Sequence, residues 1–283
     1  MLEQYKQHII SHIQLALAED VREADHSSLS CISAGTQDKA KLIAKQDCII
    51  CGIDVARLVY QTVDLNIQFT AFKKDGDKVK KGEIVFKVEG EATSILTAER
   101  TALNYMQRLS AVSTRTNYYK TLVAGTSAQL LDTRKTTPTM RILEKYAVKT
   151  GGGTNHRFGL YDMIMLKDNH IDFAGGITAA IDKVHAYLKE RSLDLKIEVE
   201  VRNFTELEEV LTKGGINRIM LDNFTVEDTK KAVELINHRY EVESSGGITE
   251  ATILDYAKTG VDYISVGALT HKIDSIDLSL VAE

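Results

Sequence analysis

The sequence predicts a mixed α/β and α+β chain: a small N-terminal α+β domain followed by a parallel β/α barrel that is smaller than usual or incomplete. Three observations predict it. Between Lys39 and Glu89, strand-like runs and hairpin-type turn signals dominate. After Gly125, short apolar runs alternate regularly with amphipathic helical stretches, the pattern of parallel strands joined by crossovers. Each of those later runs also ends in residues suited to polar chemistry, as barrel strands do at their catalytic face. A doubly wound sheet fits the alternation too. However, no G-x-G-x-x-G follows the first of these strands, so the dinucleotide-binding signature is missing.

The opening stretch, MLEQYKQHIISHIQLALAED, reads as an amphipathic helix. KAKLIAKQDCIICGI, NIQFTAF and EIVFKVEG then read as strands, with one short helix around DVARLVYQTV. The turn DGDKVKKGE, with its Asp75-Gly76 signal, separates the last two strands. A mostly antiparallel sheet follows from that order. From about Thr97 to Val123, Ala98, Ala102, Tyr105, Leu109 and Val112 recur at helical spacing and predict one long helix.

In the second region AQLLD, DMIML, KIEVEV, RIML, YEVES and DYISV are the expected strands. PTMRILEKYAV, ITAAIDKVHAYLKE, FTELEEVLTK, VEDTKKAVELI and EATILDYAKT are the expected helices. A full eight-unit barrel needs roughly 200 residues or more, which this region does not have. Pro138, the chain's single proline, fits the first turn of the helix that follows it. The last segment, HKIDSIDLSLVAE, alternates like a strand and is expected to return to the first domain. The expected domains are thus 1–112 joined by 272–283, and 113–271.

Composition narrows the function. The chain has 283 residues, 43% of them hydrophobic and 27% charged, with a net charge of −5, all ordinary for a globular protein. It contains no apolar run long enough to span a membrane. The opening helix is broken by charges and histidines, so it does not match a signal peptide, and a cytoplasmic protein is expected. An acidic chain without a basic arm argues against nucleic acid. Cys31, Cys48 and Cys51 are too few, and odd in number, for a disulfide framework. Cys48 and Cys51 form a C-x-x-C inside an apolar run, without the strand-to-helix turn of a redox pair, and read as buried free thiols.

Against this acidic background, residues 131–171 stand out. They carry seven Lys/Arg against four acids, beside Gly151-Gly152-Gly153 and two histidines, which suggests a pocket for a small polyanion. Arg134 and Lys135 follow the first barrel strand, with the hydroxyls of Thr133, Thr136 and Thr137 around them. The triple glycine closes a helix, and its N–H groups could face an anion. Asn155-His156-Arg157 add two more potential cations. Lys167, at the tip of DMIML, suits either an anion clamp or a Schiff base. Glu200 and Asp222 close the third and fourth strands; they suit Mg²⁺ shared with substrate phosphates, or simply balance the arginines. Ser245-Gly246-Gly247 and Val266-Gly267-Ala268 are small-residue turns at the last two strand ends, like the phosphate sites of barrels.

With these residues assembled, the chain resembles the quinolinate phosphoribosyltransferase family. The matching motifs are ERTALN at 99–104, LDTRKTTP at 131–138, EKYAVKTGGGTNHRFGLYDMIMLKDNH at 144–170, EVEV at 198–201, MLDNF at 220–224, SSGGIT at 244–249 and VGALTH at 266–271. The resemblance implies an N-terminal sandwich domain, an incomplete barrel of about six strands, and assembly as homodimers or multiples of them. It implies transfer of phosphoribose from phosphoribosyl pyrophosphate to the nitrogen of quinolinate with loss of CO₂, giving nicotinate mononucleotide for de novo NAD synthesis, with Mg²⁺ as cofactor. By resemblance Arg100 enters the neighbouring subunit's site, and Arg134, Lys135, His156, Arg157 and Lys167 line the two-carboxylate site. Glu200 and Asp222 fall near the ribose hydroxyls and the metal-bound diphosphate, and Ser245, Gly246, Gly247 and Gly267 in the 5′-phosphate loops. The alternatives are a related phosphoribosyltransferase with another pyridine or anionic acceptor, and a non-catalytic phosphate-binding module. The chain departs from the family pattern at Thr139, where glycine is frequent, at Lys272 after VGALTH, and in VREADHSS near the start.

Overall fold

The computed structural model describes residues 3–283; Met1 and Leu2, the start of the expected opening helix, lie outside the described residues. The elements run in order α1 (Lys6–Val21), α2 (His26–Cys31), β1 (Gln37–Ala44), β2 (Cys48–Ile49), α3 (Ile53–Val63), β3 (Gln68–Ala71), β4 (Lys78–Val79), β5 (Ile84–Glu91) and α4 (Ala92–Leu122). They continue with β6 (Gln129–Leu131), α5 (Arg141–Thr150), β7 (Ile164–Leu166), α6 (Asp168–Ala174), α7 (Ile177–Arg191), β8 (Ile197–Val201), α8 (Phe204–Lys213) and β9 (Arg218–Asp222). The last are α9 (Val226–Ile236), β10 (Glu241–Ser245), α10 (Ile253–Ala257), β11 (Tyr263–Ser265), α11 (Ala268–His271) and β12 (Leu278–Ala282). Two compact units result. The first runs to Asn117 and takes in Thr136–Gly152 and Ala268–Glu283; the second comprises Tyr118–Lys135 and Gly153–Gly267.

The first unit is built on an antiparallel sheet ordered β12-β1-β5-β3, with β2 and β4 as a separate antiparallel pair. Phe69 and Phe86, on paired strands, stack with ring centroids 4.4 Å apart, and Tyr60 of α3 meets each of them at 6.0 Å. Aromatic clusters of this kind contribute beyond their buried area. Asp75, from the turn expected between strands, also caps α3. Its Oδ1 accepts from the N–H groups of Gly52 (2.9 Å) and Ile53 (3.0 Å), and Tyr146 donates to its Oδ2 at 2.8 Å. Cys48 and Cys51 are buried and free. Burial pushes the Cys48 thiol up to about 11 and Cys51 further, so neither is a thiolate at neutral pH.

α4 buries Ala98, Ala102, Tyr105, Leu109 and Val112, the stripe that its spacing predicts. Pro138 sits in a turn ahead of α5 rather than in its first turn, because the helix begins only at Arg141. The residue after it, Thr139, has φ +66 and could not start a helix. α2 and α6 have no counterpart in the expected elements. Asp25 caps α2 by accepting from the N–H groups of Ser27 and Ser28, both at 3.1 Å.

The second unit holds a six-stranded, wholly parallel sheet in the order β6-β11-β10-β9-β8-β7. The first strand pairs with the last, and one pairing, β6 with β7, is missing. A sheet with that cyclic order is a barrel open along a single seam. At the seam Thr154 forms an isolated parallel bridge to Leu131. Its N–H donates to Leu130 O (2.8 Å), and its O accepts from the Asp132 N–H (3.1 Å).

Candidate active site

In a parallel barrel, residues two apart along a strand share a face. Glu198 and Glu200 on β8, Arg218 and Asp222 on β9, and Glu241, Glu243 and Ser245 on β10 therefore form three aligned rows. The register confirms it: Glu198 and Glu241 both pair with Arg218, and Ser245 pairs with Asp222. Barrel interiors are usually packed with branched aliphatic residues. Here the interior carries charge instead.

The deepest charges form one cluster. His156 Nε2 lies 3.1 Å from Glu198 Oε2 and 3.3 Å from Glu243 Oε2, and Arg218 Nη1 lies 3.2 Å from the same Glu243 oxygen. Arg218 also reaches Glu241 at 3.0 Å, with its guanidinium 4.1 Å from the Tyr263 ring centroid. Glu198 and Glu243 are fully buried. Burial opposes charge on His156, but the two carboxylates outweigh it and raise its pKa to about 9. Burial and the neighbouring Glu243 push Glu198 up. For Glu243, hydrogen bonding and charge from His156, together with Arg218, overcome burial and hold it down. Glu198 thus takes up a proton more readily than Glu243.

His156 is held from two further sides. Asp132, at the end of β6, accepts from the His156 N–H (2.9 Å) and from Asn155 Nδ2 (2.6 Å), and Arg157 N lies 2.6 Å from His156 Nδ1. Arg157 next donates from Nη1 to Met163 O (3.2 Å). Burial and then the charge of Arg134 pull the Arg157 guanidinium below its ordinary value, so the two arginines share one neighbourhood.

At the strand ends, Lys167 Nζ donates to Glu200 Oε2 at 2.6 Å. This lysine is half-exposed, whereas Glu200 is buried. An amine turned onto a carboxylate in this way suits an anion clamp better than a Schiff-base nucleophile. Lys167 also precedes α6, where His170 Nδ1 accepts its N–H at 3.1 Å. Arg134 and Lys135 are exposed at the end of β6, and the Lys135 N–H donates to Thr133 Oγ1 (3.0 Å). Asp222 is half-buried and accepts from Asn223 Nδ2 at 2.8 Å.

The Ser245-Gly246-Gly247 turn packs against that same asparagine. The Asn223 N–H donates to Ser245 O at 2.9 Å, and a Cβ on Gly246 would stand only 2.3 Å from Asn223 Oδ1. Gly246 has φ +94 as well, so two separate constraints demand glycine there. Val266 and Gly267 follow β11 directly. The remaining expected residues, Arg100 and Ala268, belong to the first unit: Arg100 is exposed on α4 and Ala268 begins α11.

Gly151 and Gly152 close the helix, the first of the two roles their sequence suggests, and their N–H groups are used in doing so. The N–H groups of Gly151 and Gly152 donate to Ala147 O (2.9 Å) and Lys149 O (3.0 Å) as the helix closes. A Cβ on Gly151 would lie 2.4 Å from Ser113 O, so this glycine permits close packing on α4.

Two places suit a cation. His156, Glu198 and Glu243 bring ligand atoms within 4.8 Å of one another. There, however, protonated His156 and Arg218 already balance the two carboxylates. Glu200 and Asp222 offer a purely oxygen donor set at the strand ends, which fits a hard ion completed by substrate oxygens. The sequence reading missed Glu198, Arg218 and Glu243. The available signal was strand parity: in EVEV and EVESS, Glu198 and Glu243 share a face with Glu200 and Ser245.

A parallel barrel with cations and acids gathered at its strand ends defines an anion-processing α/β enzyme scaffold. Comparisons with known proteins narrow it. Residues 25–110 match the model of the quinolinate phosphoribosyl transferase N-terminal domain, and residues 112–281 that of the C-terminal domain. A tobacco (Nicotiana tabacum) quinolinate phosphoribosyltransferase [decarboxylating] is 43% identical over 95% of this chain and 80% of its own length. A probable nicotinate-nucleotide pyrophosphorylase [carboxylating] of Bacillus subtilis is 38% identical over 96% of this chain and 94% of its own. The solved nicotinate-nucleotide pyrophosphorylase of Francisella tularensis superposes with a TM-score of 0.92 at 41% identity, covering 98% of this chain and 96% of that one. The chain belongs to the quinolinate phosphoribosyltransferase family.

Proposed function

We propose that this protein transfers phosphoribose from phosphoribosyl pyrophosphate to the ring nitrogen of quinolinate and releases CO₂, forming nicotinate mononucleotide and diphosphate for de novo NAD synthesis. The observation that carries this reading is the charge pattern within one unit. Arg134 and Lys135 follow the first strand, Lys167 follows the second and Arg157 lies in the connection between them, while Glu200 and Asp222 close the next two. A dicarboxylate and a polyphosphate together require both kinds of group.

In the transfer, the bond from ribose C1 to the diphosphate oxygen breaks and its electron pair leaves with diphosphate. The pyridine nitrogen lends its lone pair to C1. That nitrogen carries no proton, so no general base is needed. The pyridinium then draws the electron pair of the adjacent C–CO₂ bond into the ring; CO₂ departs and the ring carbon takes up a proton. Arg134, Arg157 and Lys167 fix the two carboxylates, and Lys135 adds charge beside them. Glu200 sets Lys167 in place, and Asp132 orders the 155–157 segment through its bonds to Asn155 and His156. The turns at 245–247 and 266–268 suit the 5′-phosphate. Mg²⁺ held by Glu200 and Asp222, directly or through water, would neutralise charge on the diphosphate. Catalysis rests mainly on positioning and electrostatics.

The active form is proposed as a homodimer in which Arg100 completes the neighbouring subunit's site. Three free cysteines, two of them buried, support a reducing, cytoplasmic location. Among the described residues no helix is long and apolar enough to cross a membrane. The test combines purified protein, phosphoribosyl pyrophosphate and Mg²⁺ with quinolinate or with nicotinate. Equal amounts of nucleotide and CO₂ from quinolinate alone are expected; product from nicotinate instead would assign a different acceptor.

A further inference from the structure

Thr139 is a β-branched residue at φ +66, a conformation that favours glycine. A side chain there needs something to hold it, and the first unit supplies a hydrogen-bonded chain. Thr139 Oγ1 donates to Pro138 O at 2.6 Å, so its one proton is committed. It must then accept from His12 Nε2, 3.1 Å away, which makes Nε2 the protonated nitrogen. Nδ1 of a neutral imidazole is left as acceptor for the Tyr105 hydroxyl at 2.6 Å. Burial, with the charge of His8, lowers the His12 pKa and keeps the ring neutral. Burial also raises the Tyr105 phenol to about 12, so it stays a donor. The chain therefore runs one way, from Tyr105 through His12 and Thr139 to Pro138.

This chain borders a cavity of about 440 Å³ in the first unit, lined by His12, Tyr105, Arg108, Thr137 and Met140 among others. Two residues before Thr139, Thr137 is pinned separately. Its N–H and Oγ1 donate to Glu144 Oε2 (3.1 Å) and Oε1 (2.8 Å), and Arg108 binds the same carboxylate at 2.8 Å. Residues 136–140 are thus fastened at two points, and they continue directly from Arg134-Lys135.

We propose that His12 and Tyr105 are positioning residues for the transfer reaction: they latch Thr139 in its left-handed conformation and so fix the segment that leads out of Arg134 and Lys135. Without the latch, Thr139 relaxes toward negative φ and turns the Pro138 peptide with it, which moves the residues that precede it. A simple docking role for α1 would not depend on the residue at 139. The latch does, because glycine adopts φ +66 unaided.

The proposal rests on the assigned transferase activity, and its test is a double-mutant cycle of wild type, H12A, T139G and H12A/T139G. Each protein is assayed for kcat/KM with quinolinate and for Tm. H12A should lower kcat/KM roughly tenfold and lower Tm, T139G should stay near wild type, and the double variant should match T139G. H12Q, which keeps an N–H donor of similar reach, should retain most activity. An H12A loss of equal size in the T139G background would overturn the latch. Unchanged kcat/KM in H12A, with a coupled Tm, would overturn its role in the reaction. Wild type that forms no nucleotide from quinolinate would instead sink the transferase reading, while the Tm cycle would still decide the latch.

Discussion

The interiors of the two units are made of opposite materials. In the first, Tyr60, Phe69 and Phe86 close an aromatic core over an antiparallel sheet. In the second, His156, Glu198, Arg218 and Glu243 occupy the space where a barrel normally packs aliphatic side chains. Apolar packing is favourable on its own, whereas a buried ionic cluster offsets its desolvation cost only if every member is present. The first unit therefore tolerates wear gradually. The second depends on all of its charges together, and its buried cluster shares a unit with Arg157, Lys167, Glu200 and Asp222.

That contrast breaks most sharply under a pair of substitutions. Phe86→Ala should destabilise by about 3–5 kcal/mol while kcat/KM of the folded fraction stays at wild type. Glu243→Ala should destabilise on the order of 3–5 kcal/mol, by leaving His156 and Arg218 short of a counter-charge, and should lower kcat/KM as well. Denaturant titration with steady-state kinetics on both proteins checks the pair; equal activity in both would erase the distinction. At the strand ends, Arg134→Ala or Lys167→Ala should cost about 2–4 kcal/mol of transition-state stabilisation with little change in stability. Wild-type kcat/KM in either variant would remove the cationic clamp.

A smaller effect tests how the sites are completed. R100A and K167A should each keep only a few per cent of wild-type activity or less. Mixed and re-equilibrated, they should recover about a quarter of wild-type activity, because half the dimers are hybrids with one intact site. No recovery on subunit exchange would refute a shared site.

The smallest effect is one of pH. His156 has a folded pKa near 9 against 6.5 in the unfolded chain, so its contribution is fully present below 6.5 and fades as pH rises through 9. Unfolding free energy should decline across that window, and His156→Gln should flatten the decline. A slope unaltered by H156Q would assign it to other groups.

Much of this was legible in the sequence where periodicity is local. The stripe from Ala98 to Val112 foretold the buried face of α4, and VEDTKKAVELI coincides with α9. Lys167, Glu200 and Asp222 could be chosen because strand ends of a barrel converge. What stayed hidden depends on distant partners. Gly151 looks like a loop glycine until Ser113 of α4 is seen 2.4 Å from its missing Cβ. Glu198 and Glu243 look like solvated acids of alternating strands until closure of the barrel turns that face inward. Pro138 suggested a helix start, but the left-handed Thr139 delays α5 to Arg141.

If the charged strand ends serve both steps, glycosyl transfer and decarboxylation are coupled. Quinolinate carrying ¹³C in the carboxyl group next to the ring nitrogen tests it directly, with and without phosphoribosyl pyrophosphate. Labelled CO₂ should appear in step with nicotinate mononucleotide when both substrates are present, and not without the ribosyl donor. Label released without the donor, or nucleotide that keeps its label, would contradict it.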